Sequence, residues 1–189
     1  MNDFEKTLAK KYDLDPGTAL AFVRLMKTVE ADKNVNIVEK GGFNDNFYIL
    51  RQGILRAYFP TCDIGQTLWF GYPGQAIFNV WCFRHGSPSP ITIETITPCE
   101  LYYLPKQELD DICFRSLPIC NLVRKIFVGH ATEAEESFAG LLEWNRAIER
   151  YLSLLKRHPE LLQKVPLKKL ASYLQLTPQS LSRIRAQIK

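Results

Sequence analysis

The sequence predicts an α+β protein in which a β-rich domain precedes a long helix and a small helical domain. Between positions 35 and 104, brief extended runs rich in Ile, Phe, Tyr and Thr are separated by Gly, Pro, Asn or Asp. That pattern is typical of short strands in a sandwich or barrel. From Leu122 to Leu142, apolar residues recur at steps of mostly three and four, which indicates a helix of about seven turns. Residues 165–189 contain two further short helical repeats.

In chain order, two amphipathic helices come first, at 4–11 and 18–28, separated by the Pro16-Gly17 break. The predicted strands follow at 35–38, 46–50, 54–59, 67–70, 91–96 and 100–104. Pro105 ends the last strand, and a short helix is predicted at 107–113. After the long helix, residues 144–146 interrupt the apolar pattern, and a new helix that includes 148–155 ends at His158-Pro159.

The long helix leaves a compact β-domain and must bury its apolar stripe. It can pack along its own domain, or it can pair with the same helix of a second chain. The length of the stripe favours pairing. The predicted dimer interface consists of Leu122, Ile126, Phe127, Ala131, Ala134, Phe138 and Leu141.

The last 25 residues predict a helix-turn-helix. In the first helix the apolar residues are three and four apart, and the small Ala171 allows a second helix to come close. Thr177 is expected to cap the second helix with its hydroxyl, and Pro178 to take its first position, where a missing N–H costs nothing. The inward residues are Leu167, Leu170, Ala171 and Leu174 in the first helix and Leu181, Ile184 and Ile188 in the second.

The outward face of the second helix is polar and cationic. Glutamine, serine and arginine side chains can bond to base edges in the major groove of DNA, and flanking lysines can bind phosphates. The candidate DNA-binding residues are Gln179, Ser180, Ser182, Arg183, Arg185, Lys168, Lys169 and Lys189. The alternative is a helix pair within an all-helical bundle, with a solvated basic face.

The charge distribution favours DNA binding over that alternative. Residues 145–189 contain 10 Lys and Arg against 2 Asp and Glu, whereas residues 1–144 contain 14 against 18. A local basic block is the electrostatic signature of a protein that binds a polyanion.

Composition and spacing exclude several other classes. No apolar run approaches the length of a membrane span, and the N-terminus lacks the apolar segment of a signal peptide, so we expect a cytoplasmic protein without a membrane partner. The five cysteines are irregularly spaced and include no C-x-x-C, which argues against a disulfide framework or a metal or iron–sulfur site. The sequence shows no nucleophile–base arrangement, phosphate-binding glycine loop or paired carboxylates, and we therefore expect no enzyme.

Two segments carry a family resemblance: FYILRQGILRAYF at 47–59, with Gly53 at the turn, and AIERYLSLLKRHPELLQKVPLKKLASYLQLTPQSLSRIR at 147–185. With the order of elements, they resemble the Crp/Fnr family of bacterial transcription regulators over nearly the whole chain, and in particular a branch common in Bacteroidetes-type bacteria. The resemblance implies a β-roll (a double-stranded β-helix, cyclic-nucleotide-binding-like) with N-terminal helices over 1–116. It also implies a dimerisation helix over 117–143 and a helix-turn-helix domain without an evident wing over 144–189.

The resemblance also implies partners and site residues. The partners are double-stranded DNA, a second copy of the chain and RNA polymerase. The family's base-contacting positions fall on Gln179, Ser180 and Arg183. Pro178 stands where the catabolite activator has an arginine, so the preferred DNA sequence should differ from that of the catabolite activator.

The nucleotide pocket departs from the family pattern. Members that bind cyclic AMP have a glutamate for the ribose and, about ten residues later, an arginine for the phosphate. Here Asn79 and Ser89 fall at those positions, so no cyclic nucleotide is expected and no cofactor is predicted. Two interpretations stay open: a filled structural remnant, or a site for another small effector. The lining candidates are Asn79, Trp81, Phe83, Ser87 and Ser89, and Arg84 lies between the two key positions.

Two other functions are alternatives to a DNA-binding regulator. The first is a ligand-binding sensor whose C-terminal module contacts proteins, which would not bind duplex DNA with a steep salt dependence. The second is a cupin-type β-roll enzyme. Such enzymes need a His/Glu metal cluster on the strands, and only His85 lies in or near the β-region, which disfavours this class.

Overall fold

The structure is a computed structural model that describes residues 3–61, 63–143 and 147–188, except for the side chains of 136–143. The helices are α1 (Asp3–Lys11), α2 (Pro16–Leu25), α3 (Val80–His85), α4 (Lys106–Arg115), α5 (Leu117–Glu143), α6 (Ala147–Arg157), α7 (Pro159–Lys164), α8 (Leu167–Tyr173) and α9 (Pro178–Gln187). The strands are β1 (Lys27–Ala31), β2 (Asn36–Val38), β3 (Phe47–Gln52), β4 (Leu55–Phe59), β5 (Gln66–Gly71), β6 (Ala76–Ile77), β7 (Thr92–Thr95) and β8 (Cys99–Leu104).

The strands form two four-stranded antiparallel sheets, with orders β1-β8-β3-β6 and β2-β7-β4-β5. This is the predicted β-roll, and all six predicted strands are present. At the β3–β4 turn, Gly53 has a φ of +105°, and a side chain there would lie 2.5 Å from the sulfur of Cys99. Only glycine fits such a turn, which confirms the turn predicted at this position.

Neither β1 nor the short helix α7 was predicted, and three further elements differ from the sequence prediction. The second helix ends at Leu25 rather than continuing to Thr28, because Met26 adopts extended backbone and β1 then pairs with β8. Two-residue β6 is too short for a periodic signal. Helix α3 was not predicted; the side chain of Asn79 caps its start, and Gly86, in left-handed backbone, ends it.

Apolar side chains pack in three clusters, of which the third lies between the other two. The first lies between α1, α2, α4, α5 and the outer face of the β1-β8-β3-β6 sheet. The second joins the other sheet to the C-terminal helices, and the third fills the space between the two sheets. In β3, Phe47 and Ile49 belong to the first cluster, while Tyr48 and Leu50 belong to the third. Both faces of this strand are buried, so its sequence is a continuous apolar run.

Helix α5 spans the 27 residues Leu117–Glu143, in agreement with the predicted length. Its first half packs within the chain: Leu122 and Ile126 are 2% and 0% exposed in the first cluster. The ring of Phe127 lies 4.6 Å from that of Phe78, centroid to centroid.

The predicted dimer interface is therefore wrong for Leu122 and Ile126, whereas Phe127 is only partly buried and its place in a dimer stays a prediction. A helix stripe that is already buried against its own sheet cannot also face a second chain. Ala131 and Ala134 are exposed, and the side chains of Phe138 and Leu141 lie outside the described part of the structure.

Helices α6 to α9 form a small domain that packs directly on the β-roll. Its core residues include Tyr151, Leu154 and Leu181, and Ile54, Phe70 and Ile96 of the β-roll belong to the same cluster. The ring of Phe70 meets that of Tyr173 at 5.3 Å in an edge-on arrangement. None of the helices in the described residues is long and apolar enough to span a membrane.

Candidate nucleic-acid interface and ligand site

The turn between α8 and α9 has the geometry that its sequence predicts. Gln175 takes left-handed backbone with a φ of +54°, which ends α8, and the amide of Leu176 donates to the carbonyl of Ala171 at 2.9 Å. The hydroxyl of Thr177 accepts a hydrogen bond from the amide of Ser180 at 3.1 Å, and Pro178 occupies the first position of α9. The predicted cap is confirmed.

Helix α9 turns its apolar side inward and its polar side to solvent. Leu181 is fully buried, and Ile184 and Ile188 are partly buried against the same cluster. The exposed residues of this helix include Arg183, at its middle, and Gln179, Ser180 and Ser182, in its N-terminal half. This is the half that enters the major groove in helix-turn-helix proteins. Arg185 is half-buried, and Lys189 lies outside the described residues.

The two lysines of α8 have different surroundings. Lys168 is exposed, as a phosphate-binding residue requires. Lys169 is only 18% exposed, and its Nζ lies 2.6 Å from Oε1 of Glu94 on β7. The structure therefore places one candidate at the surface and the other in an ion pair with the β-roll.

Glu94 also accepts a hydrogen bond from a buried arginine. Arg56 of β4 is 1% exposed, and its Nη1 lies 3.0 Å from Oε1 of Glu94. The other guanidinium nitrogens donate to Oγ1 of Thr67 at 2.8 Å and to the carbonyls of Ile64 and Gly65 at 2.6 and 2.9 Å. Burial lowers the pKa of Arg56, while Glu94 opposes that shift. Arginine stays charged in proteins, so Glu94 lies between two cations.

Ser172 of α8 adds a second set of polar contacts with the β-roll. Its hydroxyl donates to the carbonyl of Gly65 at 2.8 Å and accepts from the amide of Thr67 at 2.8 Å. The amide group of Gln66 donates to the carbonyl of Ser172 at 2.7 Å. These bonds satisfy backbone groups at the start of β5, and they fix α8 on the sheet. We call this contact, with the Arg56–Glu94–Lys169 group, the domain interface.

Sequence reasoning did not identify Arg56, Glu94 or Ser172. The available signal was the position of Arg56 between Leu55 and Ala57, both of which lie between the two sheets. An arginine at that position points to the outer face of the strand, where only a covering element would bury it. Glu94 follows Ile93, which also lies between the sheets, so the same alternation places Glu94 on the outer face. Ser172 has no comparable signal.

The candidate ligand-binding residues are mostly used for local structure. The side-chain oxygen of Asn79 accepts from the amides of Trp81 and Cys82 at the start of α3, and Asn79 is 2% exposed. The hydroxyl of Ser89, also 2% exposed, donates to the carbonyl of Ile91 at 2.7 Å. The two polar groups at the family's nucleotide-binding positions are thus engaged within the chain.

The remaining pocket candidates differ in their exposure and in their neighbours. Trp81 is 43% exposed on α3, while Phe83 packs against Phe78 and Phe127 in the first cluster. Ser87 is half-buried and Arg84 is exposed. Across the described residues, the side chains of His, Cys, Asp and Glu form no group of three or more that could hold a metal ion.

Comparison with known proteins agrees with this architecture. Residues 28–116 match the family model of the cyclic nucleotide-binding domain. That range runs from β1 to the end of α4 and contains the whole β-roll. No curated protein sequence gave a significant match.

Solved structures extend the similarity to the C-terminal helices. The chain superimposes on the c-di-GMP responsive global regulator CLP of Xanthomonas campestris with a TM-score of 0.71 and 17% identity, covering 92% of this chain and 91% of that one. FixK2 of Bradyrhizobium japonicum gives a TM-score of 0.70 and 18% identity, with coverage of 86% and 84%. A Eubacterium rectale protein assigned to the Crp/Fnr family of transcriptional regulators gives 0.67 and 17%, with coverage of 91% and 82%. The chain therefore has a β-roll that matches the cyclic nucleotide-binding domain model, within a fold that it shares with a solved Crp/Fnr regulator.

Proposed function

We propose that this protein is a homodimeric, DNA-binding transcription regulator of the Crp/Fnr type, of the Bacteroidetes-type branch. The observation that carries the proposal is the exposed polar and cationic surface of α9, presented by a capped helix on a well-packed domain. The chain would act by binding duplex DNA and RNA polymerase rather than by catalysis. We divide it for this purpose into a β-roll domain (1–116), a dimerisation helix (117–143) and a DNA-binding domain (144–189).

Binding to duplex DNA as a function of salt tests the proposal. Duplexes enriched from a random pool should contain two half-sites about one helical turn apart, because a two-fold dimer presents two α9 helices. The logarithm of the affinity should fall steeply with the logarithm of salt concentration, by about 0.9 for each phosphate that is neutralised. Absence of salt-dependent duplex binding would favour the other candidate, a sensor with a protein-interaction surface.

We also infer that cyclic AMP is not the effector. Arg84 is exposed, and Ser89 occupies the position of the family's phosphate-binding arginine with its hydroxyl engaged to Ile91. A buried phosphate requires a charge-assisted contact that neither residue supplies in this arrangement. Titrating cyclic AMP into the protein–DNA mixture should leave the affinity unchanged. A tenfold or larger shift at micromolar cyclic AMP would contradict the inference.

The dimer interface that we propose lies on the other side of α5. Exposed residues follow one another at steps of four and three along this helix, which is the spacing of a two-helix contact. They are Leu117, Asn121, Arg124, Val128 and Ala131. Leu117 and Val128 are 72% and 56% exposed, and pairing with a second α5 would cover both side chains.

Val128→Glu should therefore separate the dimer into monomers. Two glutamates that face each other in an apolar contact repel one another and lose hydration. In light scattering, the variant should show the mass of the 21.8 kDa chain, and the wild type twice that mass. Val35→Glu is the matched control, because Val35 is 40% exposed in the β1–β2 connection. If both variants stay dimeric, the interface lies elsewhere.

A further inference from the structure

We propose that Glu94 of the β-roll keeps Lys169 away from DNA, so that docking of the C-terminal domain on the β-roll limits the affinity for DNA. The proposal rests on the DNA-binding function proposed above. The observation behind it is that two adjacent lysines of α8 have different surroundings. Lys168 faces solvent, and Lys169 is paired with a carboxylate of the other domain.

The surroundings of the ion pair favour holding Lys169 on the β-roll and away from DNA phosphates. The two side chains are 18% and 12% exposed, so solvent and salt screen their attraction less than at an open surface. The backbone of Lys169 is also held, because Oγ1 of Thr67 donates to its carbonyl at 3.2 Å. Its ammonium group therefore points to the β-roll, whereas the first helix of a helix-turn-helix must direct its cations to the DNA backbone.

Release of Lys169 would not leave Glu94 without a cation. Glu94 keeps the hydrogen bond from Arg56, and Arg56 is held independently by Thr67 and two carbonyls. A buried carboxylate with no cation would oppose release strongly, but here one cation remains. The arrangement can thus exist with Lys169 on Glu94 or with Lys169 on a phosphate.

The two positions of Lys169 exclude each other, which couples the domain interface to DNA. Because Glu94 and DNA compete for one ammonium group, strengthening the Glu94–Lys169 pair weakens DNA binding, at most by the contribution of the Lys169 contact. The number of phosphates neutralised by each subunit then depends on a residue of the β-roll. The β-roll influences DNA affinity through this contact without any ligand in its interior.

A double-mutant cycle measured on enriched duplex DNA at several salt concentrations tests the proposal. Glu94→Gln should raise the affinity about tenfold at low salt, and it should steepen the salt slope by about 0.9 per subunit, since one more phosphate is neutralised. Lys169→Gln alone should leave the slope unchanged, whereas Lys168→Gln should reduce it. In the Lys169→Gln background, Glu94→Gln should lose its effect.

The outcomes separate the alternatives. An equal gain from Glu94→Gln with and without Lys169 would overturn the proposal, because the gain would then come from general charge removal. A loss of affinity in the folded Glu94→Gln variant would also overturn it, since the pair would then support DNA binding. Glu100→Gln, which removes a β-roll carboxylate paired with Arg51, is the control and should change nothing.

Two further measurements keep the test decisive. Thermal unfolding establishes that each variant is folded. If Glu94→Gln does not fold, Glu94→Asp retains a carboxylate for Arg56 while shortening its reach to Lys169, and it should give a smaller gain that again requires Lys169. If the wild type binds no duplex DNA, the proposed function fails, and that result is distinct from an unchanged slope in a protein that does bind.

Discussion

Arg183→Ala is expected to weaken binding to the preferred duplex by about 10- to 100-fold and to relax the sequence preference at one base pair of each half-site. Arg183 is exposed on α9, two turns beyond the Thr177 cap, and the adjacent Leu181 and Ile184 anchor the helix in the core. An arginine that bonds to both acceptors of a guanine contributes about 1–3 kcal/mol of discrimination. The measurement is a competition assay against duplexes that differ at each position of the half-site.

Arg183→Lys separates base recognition from phosphate binding. Lysine keeps the charge but lacks the planar pair of donors that matches guanine. The variant should keep the wild-type salt slope and lose most of the preference. If Arg183→Lys prefers the same sequence as the wild type to the same extent, Arg183 binds phosphate only. Arg185→Ala, on the same helix, should instead weaken all duplexes alike.

The sequence was informative where one local signal determined the structure. The Thr177 cap, the turn at Gly53 and the positions of the six predicted strands depend on residues within a few positions of each other, and the structure has all of them. The inward stripe of α9 was also predictable, because helical spacing alone decides which side chains share a face.

The partner of each apolar face was harder to predict. Leu122 and Ile126 show the same spacing whether the stripe covers a sheet of the same chain or a helix of another, and the structure assigns them to the first. The position of Lys169 depends on Glu94, which is 75 residues away along the chain. No local pattern encodes that contact. Residues whose environment is set by another domain, such as Arg56 and Ser172, were missed for the same reason.

Arg56→Met is expected to lower the free energy of unfolding by about 3 kcal/mol, which is the size of effect seen when one partner of a buried ion pair is removed. Arg56 is 1% exposed, and methionine fills much of its space without any donor. The carbonyls of Ile64 and Gly65 then lose the donor that they share in the folded protein. The loss follows because the Ile64 carbonyl no longer has this donor, the Gly65 carbonyl keeps only the bond from Ser172, and Glu94 is half-paired. Urea unfolding followed by circular dichroism measures it.

Arg51→Met is the matched control for this prediction. Arg51 lies on β3 and pairs with Glu100, but its side chain is 41% exposed. Solvent-exposed pairs contribute about 0–1 kcal/mol, so this variant should unfold close to the wild type. Adding Glu94→Gln to Arg56→Met should restore part of the stability, because the carboxylate then no longer lacks its buried cation. Equal losses from Arg51→Met and Arg56→Met would show that the buried arginine does not hold the outer face of this sheet. A larger loss from Arg56→Met that the double variant partly recovers would show that the Arg56–Glu94 pair stabilises the domain interface. Lys169, which is more exposed, would then be the residue of this group that can exchange Glu94 for a DNA phosphate.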